Sequence, residues 1–188
     1  MFIQTEATPN PATLKFLPGR PVLETGTLDM PDAASAAKSP LAKALFAVPG
    51  VSAVFFGGDF VSVSKTDAEE WQHLKPAILG AIMEHFVSGM PLFDEGSQTQ
   101  GSVGEDEFFA PEDAETVATI KELLETRIRP AVAGDGGDIN FRGFRDGIVY
   151  LAMKGACSGC PSSTATLKNG IQNLLKHFLP DVQSVEQI

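Results

Sequence analysis

Two cysteines are the only thiols in the chain, and they stand three apart in Cys157-Ser158-Gly159-Cys160. Before them runs Ile148 to Met153, an apolar stretch that predicts a strand. After them runs Thr164 to Leu179, in which Leu167, Ile171, Leu174, Leu175 and Phe178 recur with helical spacing. Pro161 follows the second cysteine and suits a first helical position, where its missing N–H is no loss. Both sulfurs are then expected at a helix N-terminus, whose free N–H groups favour a thiolate and lower a cysteine pKa. Gly155 and Gly159 let the backbone bend around a ligand. Such a pair suits soft-metal ligation or dithiol redox chemistry.

One chain does not supply enough ligands for a tetrahedral site. The other soft donors are His73, His85 and His177. His177 lies far along the helix that Cys160 opens, ~25 Å away at the helical rise. His73 and His85 fall in the other half of the sequence and read more simply as helix residues. A second copy supplies Cys157 and Cys160 again, making the four thiolates that a [4Fe–4S] or [2Fe–2S] cluster takes. A shared zinc is satisfied equally well. A dithiol oxidoreductase working through a Cys157–Cys160 disulfide also remains open. Against that reading, the pair comes late, after a helix and a hairpin, with little chain left to complete a thioredoxin-like fold.

The length of 188 residues suits one or two small domains, and the formal charge is −10. Residues 1–104 hold 11 acids and 6 bases, and residues 105–188 hold 13 and 8, so each half is acidic. Nucleic-acid binding is not expected, because it needs basic patches to displace counterions. No run reaches the roughly 20 apolar residues of a membrane helix. Two cysteines do not make a disulfide framework, which fits a reducing compartment. Met1 to Glu6 pass directly into strand-like sequence, with neither a basic n-region nor an Arg-rich leader. The expected setting is the cytoplasm.

The elements that must position the cysteines fall into two groups. Residues 90–110, rich in Gly, Ser, Gln and acids, read as a flexible linker between residues 1–89 and 111–188. The fold class is α+β, with two small α+β domains. In the first, Phe2 to Glu6 and Thr13 to Phe16 predict strands. Ser39-Pro40 opens a short helix as N-cap and first residue. Val51 to Phe56 and Phe60 to Ser64 predict a hairpin across Gly57-Gly58-Asp59. Thr66 and Glu69 have the spacing of a capping box, and Pro76 is expected to end a turn or kink the helix that follows. In the second domain, Val117, Ile120, Leu124 and Ile128 mark a helix closed by Pro130. Gly134 to Asp138 predict a loop. Ile139 to Phe144 and Ile148 to Met153 predict strands, and Val182 to Ile188 a last one.

Beyond these patterns, Gly137-Asp138-Ile139, Gly155-Ala156-Cys157-Ser158-Gly159-Cys160-Pro161-Ser162-Ser163 and Thr166-Leu167-Lys168-Asn169-Gly170-Ile171 closely resemble the C-terminal domain of the NifU-like (Nfu) iron–sulfur proteins. Thr8-Pro9-Asn10-Pro11, Leu14-Lys15-Phe16 and Leu74-Lys75-Pro76 resemble that family's N-terminal domain. The resemblance implies a cluster carrier or scaffold, not an enzyme. It implies a labile [4Fe–4S] cluster (or [2Fe–2S]) held by Cys157 and Cys160 of each of two chains and passed to apo-proteins. The implied partners are a second copy, client apo-proteins and upstream assembly proteins. The first domain is implied to recognise partners, and against a family whose eukaryotic members carry a mitochondrial leader, the opening residues imply a bacterial-type cytoplasmic setting.

Overall fold

The computed structural model describes residues 1–94, 107–158 and 161–188, with the backbone alone at 161–163. The chain divides into two compact units, Met1–Ser102 and Val103–Ile188. Most of the expected linker, residues 95–106, lies outside the described residues.

The first unit holds one antiparallel sheet of five strands in the order β1-β2-β5-β4-β3. Its strands are β1 (Gln4–Ala7), β2 (Thr13–Leu17), β3 (Leu28–Met30), β4 (Val51–Phe56) and β5 (Val61–Lys65). The expected hairpin is β4–β5, with Phe56 opposite Val61. A short helix, α1 (Pro40–Phe46), starts as the sequence predicts: Ser39 is the N-cap, and its hydroxyl accepts from Ala42 N–H at 3.3 Å. The long helix α2 (Trp71–Ser88) runs unbroken through Pro76. It does not start at the Thr66 capping box. Residues 66–69 form a turn instead, with Glu69 N–H donating to Thr66 O, and Glu70 becomes the N-cap. One sheet face buries Phe16, Val54, Phe56, Val61 and Val63 against Leu41 and Leu45 of α1 and Leu74, Ile78 and Ile82 of α2. Alternation along each strand puts these side chains on a single face.

In the second unit α3 (Ala114–Leu123) passes through a wider π turn, Leu124–Ile128, into α4 (Arg129–Gly134). Pro130 was expected to close the helix. It sits in the first turn of α4, where no intrahelical N–H is needed, so helical backbone resumes and reaches Gly134. The predicted Gly134–Asp138 loop is correspondingly shorter. Strands β6 (Gly137–Arg145) and β7 (Ile148–Gly155) pair antiparallel, and β8 (Ser184–Gln187) adds to β7 in parallel. A parallel pair needs a long crossover. Helix α5 (Pro161–Phe178) is that crossover, so the cysteine turn occupies the only route from β7 into it. Ile139, Phe141, Phe144, Val149 and Leu151 of the sheet pack with Val117 and Ile120 of α3 and Ile171 and Leu175 of α5.

The segment entering the second unit is docked rather than free. Phe108 donates its N–H to Arg142 O at 3.0 Å and accepts from Phe144 N–H at 2.8 Å. Its ring lies over Gly143, where a Cβ would come within 2.4 Å of it. The ring also stands 5.1 Å from the Tyr150 ring centroid. The expected α+β class holds for both units.

Candidate functional site

The site grows from two glycines. Gly137 opens β6 and is paired with Gly155, which ends β7. Gly155 adopts φ +68°, a left-handed conformation that glycine takes without strain. It turns the chain out of the strand. Ser158 then closes a tight turn, its N–H and hydroxyl both reaching Gly155 O at 3.1 and 3.0 Å. The Ala156 N–H donates to Gly136 O at 3.2 Å, tying the turn to the start of β6. On the far side, the Thr164 hydroxyl in α5 donates to Cys157 O at 3.0 Å.

Within this frame Cys157 is 5% exposed and belongs to the apolar core with Ile139 and Met153. Gly137 provides its seat. A Cβ on Gly137 would fall 2.9 Å from Cys157 Sγ and 2.6 Å from Lys154 O, both impossibly close. Burial pushes the Cys157 thiol up from 9.0 to about 11, and the carboxylates of Asp135 and Asp138 add to the rise. This corrects the expectation of a lowered pKa. The helix N-terminus was expected to favour the thiolate, but in the single chain the sulfur turns into the core, and desolvation of an anion outweighs it. Cys157 is a free thiol. Cys160 lies outside the described residues.

A charged pair braces the seat. Asp138, 3% exposed, accepts from Arg129 Nε at 2.9 Å and Nη2 at 3.0 Å, a bidentate contact from the start of α4 to the start of β6. Arg129 also bonds Glu125 one turn earlier. Both lone-pair sides of the carboxylate thus face the planar guanidinium, the geometry that makes such pairs strong. This brace was not legible in the sequence. Asp138 was read as part of a loop, as a weak cation ligand with Asp135 and as part of the family motif, never as the partner of Arg129, because a contact between α4 and β6 exists only once the sheet forms.

The histidines do not join the cysteine. Among the described residues no group of three or more His, Cys, Asp or Glu side chains could hold a metal ion. His177 stands in the last turn of α5, edge-on to Phe178 with centroids 5.1 Å apart. His73 is exposed on α2. His85 is 3% exposed, its Nδ1 has no hydrogen-bond partner, and burial lowers its pKa. A soft sulfur donor on a glycine-built turn nevertheless suits a thiophilic metal or cluster.

Residues 3–89 match the family described as scaffold protein Nfu/NifU N terminal, and residues 120–186 match the NifU-like domain. The chain is 54% identical to NifU-like protein 4, mitochondrial, of Arabidopsis thaliana, over 100% of this chain and 66% of that one. It is also 54% identical to the NFU1 iron-sulfur cluster scaffold homolog, mitochondrial, of Homo sapiens, over 100% of this chain and 72% of that one. It thus spans about two thirds of the length of these relatives. Among solved structures, that of a NifU-like protein from Saccharomyces cerevisiae superposes with a TM-score of 0.43 and 25% identity, over 50% of this chain and 86% of that one. The names of the relatives overturn the expected cytoplasmic, bacterial-type setting, since they are called mitochondrial. The expectation rested on the cysteine count and on Met1 to Glu6, and neither fixes a cellular address, because a reducing compartment is not one place and an address is read from a leader's own composition.

Proposed function

This chain belongs to the Nfu/NifU scaffold family, and from that premise we propose that it is an iron–sulfur cluster scaffold and carrier, a binding protein rather than an enzyme. The cluster is its cargo. In this reading Cys157 and Cys160 of two chains hold one [4Fe–4S] cluster between them and pass it to apo-proteins. The single observation that carries the reading is the cysteine turn: two thiols per chain, one of them seated on Gly137 at the β7–α5 junction. Two ligands from each side of a two-fold interface close a four-thiolate site that neither chain closes alone.

The seat explains why the grip is loose. With no iron bound, the Cys157 sulfur has an apolar place to go. Ligation must draw it from that place, so the buried thiol competes with the metal–sulfur bond. A client thiol that displaces Cys157 forms one iron–sulfur bond as another breaks, and its proton passes to the departing sulfur. Ligands are exchanged one at a time, and the cluster is never released into solvent. The unit built on residues 111–188 carries the cluster, and the unit built on residues 1–89 meets upstream assembly proteins and clients.

Anaerobic reconstitution with iron and sulfide tests the proposal. The expected product is a coloured two-chain species containing acid-labile sulfide that activates an apo-enzyme. Cys157→Ser and Cys160→Ser are each expected to abolish stable loading. A colourless protein that reduces disulfides catalytically, or one that purifies with zinc and takes up no sulfide, would overturn it.

A further inference from the structure

Two carboxylates stand beside the cysteine turn, and the fold treats them differently. Asp138 is 3% exposed, and the Arg129 guanidinium covers its charge with two hydrogen bonds. Asp135 is exposed, and among the described residues no hydrogen bond or ion pair holds its carboxylate. Its backbone is fixed nonetheless. Asp135 is the C-cap of α4, and its N–H donates to Ala131 O at 3.2 Å and Val132 O at 3.1 Å. The next residue, Gly136, accepts the Ala156 N–H at 3.2 Å, and the one after, Gly137, seats the Cys157 sulfur. Backbone contacts thus keep an unpaired negative charge close to that sulfur. The thiol registers it: after burial, the Asp135 carboxylate is the next cause of its rise.

Local stability does not account for an acid at this position. The last carbonyls of a helix form the negative end of its dipole, where a carboxylate is unfavourable and Lys or Arg is preferred. Nor does the carboxylate fasten a turn, since it accepts no hydrogen bond among the described residues. What its charge reaches is the sulfur. A cysteine sulfur bound to iron is a thiolate, and four of them concentrate negative charge around a cluster. A fixed negative charge beside one of them favours its neutral, detached form.

We infer that Asp135 sets how firmly Cys157 holds the cluster: its unpaired charge weakens the sulfur's grip and speeds the hand-over to a client thiol. The inference rests on the cluster reading and names a residue that tunes it. Asp135 acts through Cys157. As the client sulfur bonds to iron and the iron–Cys157 bond breaks, the client's proton ends on the Cys157 sulfur. Negative charge then leaves the neighbourhood of Asp135, and the repulsion between them is relieved. Asp138 is less suited to this role, because Arg129 already holds its charge. One acid braces the turn and the other loosens its sulfur.

Two measurements test this. The first uses the full metal-free chain with Cys160→Ser, in which Cys157 is the remaining thiol. Its rate with a dianionic aromatic disulfide is divided by its rate with a neutral one, a ratio in which access to the sulfur and its thiolate fraction cancel. Asp135→Asn is expected to raise the ratio about threefold, the scale of an exposed charge interaction, and Asp135→Glu to leave it unchanged. Added salt is expected to erase the difference between Asp and Asn. The second measurement follows loss of visible absorbance from the reconstituted protein, both cysteines present, to the neutral chelator bipyridine. The half-life is expected to lengthen about threefold in Asp135→Asn, further in Asp135→Lys, and not in Asp135→Glu. The reduction potential of the bound cluster is expected to become more positive in the same order. A merely structural role would instead follow side-chain size and lower the melting midpoint read at Tyr150, which is expected to fall in none of the three variants. A ratio unmoved by Asp135→Asn, or half-lives that ignore the charge while the ratio moves, would overturn the inference and leave the cluster reading standing. A ratio that moves in a chain that takes up no iron and sulfide would overturn the cluster reading, and the inference with it.

Discussion

Helices α2 and α5 are both 18 residues long, and each lays its inner face on a sheet. Leu74, Ile78 and Ile82 do this for α2, and Ile171 and Leu175 for α5. Their outer faces diverge. Exposed positions on α5 include Ala165, Asn169, Gly170, Asn173, Lys176 and His177, a largely polar surface, with Phe178 the large apolar exception at its end. Exposed positions on α2 include Pro76, Ala77, Gly80, Met83 and Val87 between the polar Gln72, His73, Glu84 and Ser88. The inner faces follow from the fold, so they are alike. The outer faces are not held to a sheet, so they are free to differ.

The strongest way to probe the comparison is to cut the inner faces. Ile82→Ala in α2 and Ile171→Ala in α5 are each expected to cost about 2–5 kcal/mol, the range for a cavity in a packed core. Urea unfolding will resolve them, with Trp71 fluorescence reporting the first unit and Tyr150 the second. Equal losses support equal inner faces. A loss below about 1 kcal/mol in one helix would break the equivalence.

Next in size is the brace beside the cysteine turn. Asp138→Asn leaves Arg129 without its bidentate partner while Glu125 remains. The expected loss is on the order of 2 kcal/mol, below the value for a fully buried pair because Arg129 keeps some solvent. It is expected in the second unit only, read as an earlier midpoint of the Tyr150 transition.

The two units should also respond to pH in opposite directions. Burial raises the Cys157 thiol from 9.0 to about 11. Stability of the second unit is therefore complete below pH 9 and falls as pH rises toward 11, because the unfolded chain ionises first. The expected loss is on the order of 2 kcal/mol. Burial lowers the pKa of His85 below 6.5. Its contribution has the opposite sense: the first unit is stable above that value and weakens as pH falls below it, because the unfolded chain takes up the proton first. Melting curves across pH, followed separately by Trp71 and Tyr150, will distinguish the two. Identical pH profiles for both units would contradict the assignment.

The smallest effect falls on an outer face. Val87→Ala is expected to change the stability of the fold by less than about 0.5 kcal/mol, since the side chain is exposed.

Much of this was legible in the sequence where a local signal sufficed. Ser39-Pro40 opened α1 as read, and the strand–turn–helix setting of Cys157 followed from an apolar run, two glycines, a proline and helical spacing after it. Strand β3 escaped because Leu28–Met30 is too short to show a period. The capping box at Thr66 misled because its residues were used in a turn after β5. Pro130 misled because a proline that stops one helix can equally begin the next. At the site, the thiol count was readable, but the burial of Cys157 was not. It depends on Gly137 coming beneath the sulfur, a contact made only when β6 pairs with β7. The Arg129–Asp138 brace depends on the same pairing.

The central claim is tested most directly by sedimentation velocity of the reconstituted protein, followed at once by protein absorbance and by the visible absorbance of its iron. The expected result is that all the colour travels with a two-chain species, and that Cys157→Ser removes it. Colour travelling with a single chain, or persisting in Cys157→Ser, would contradict the shared four-thiolate site.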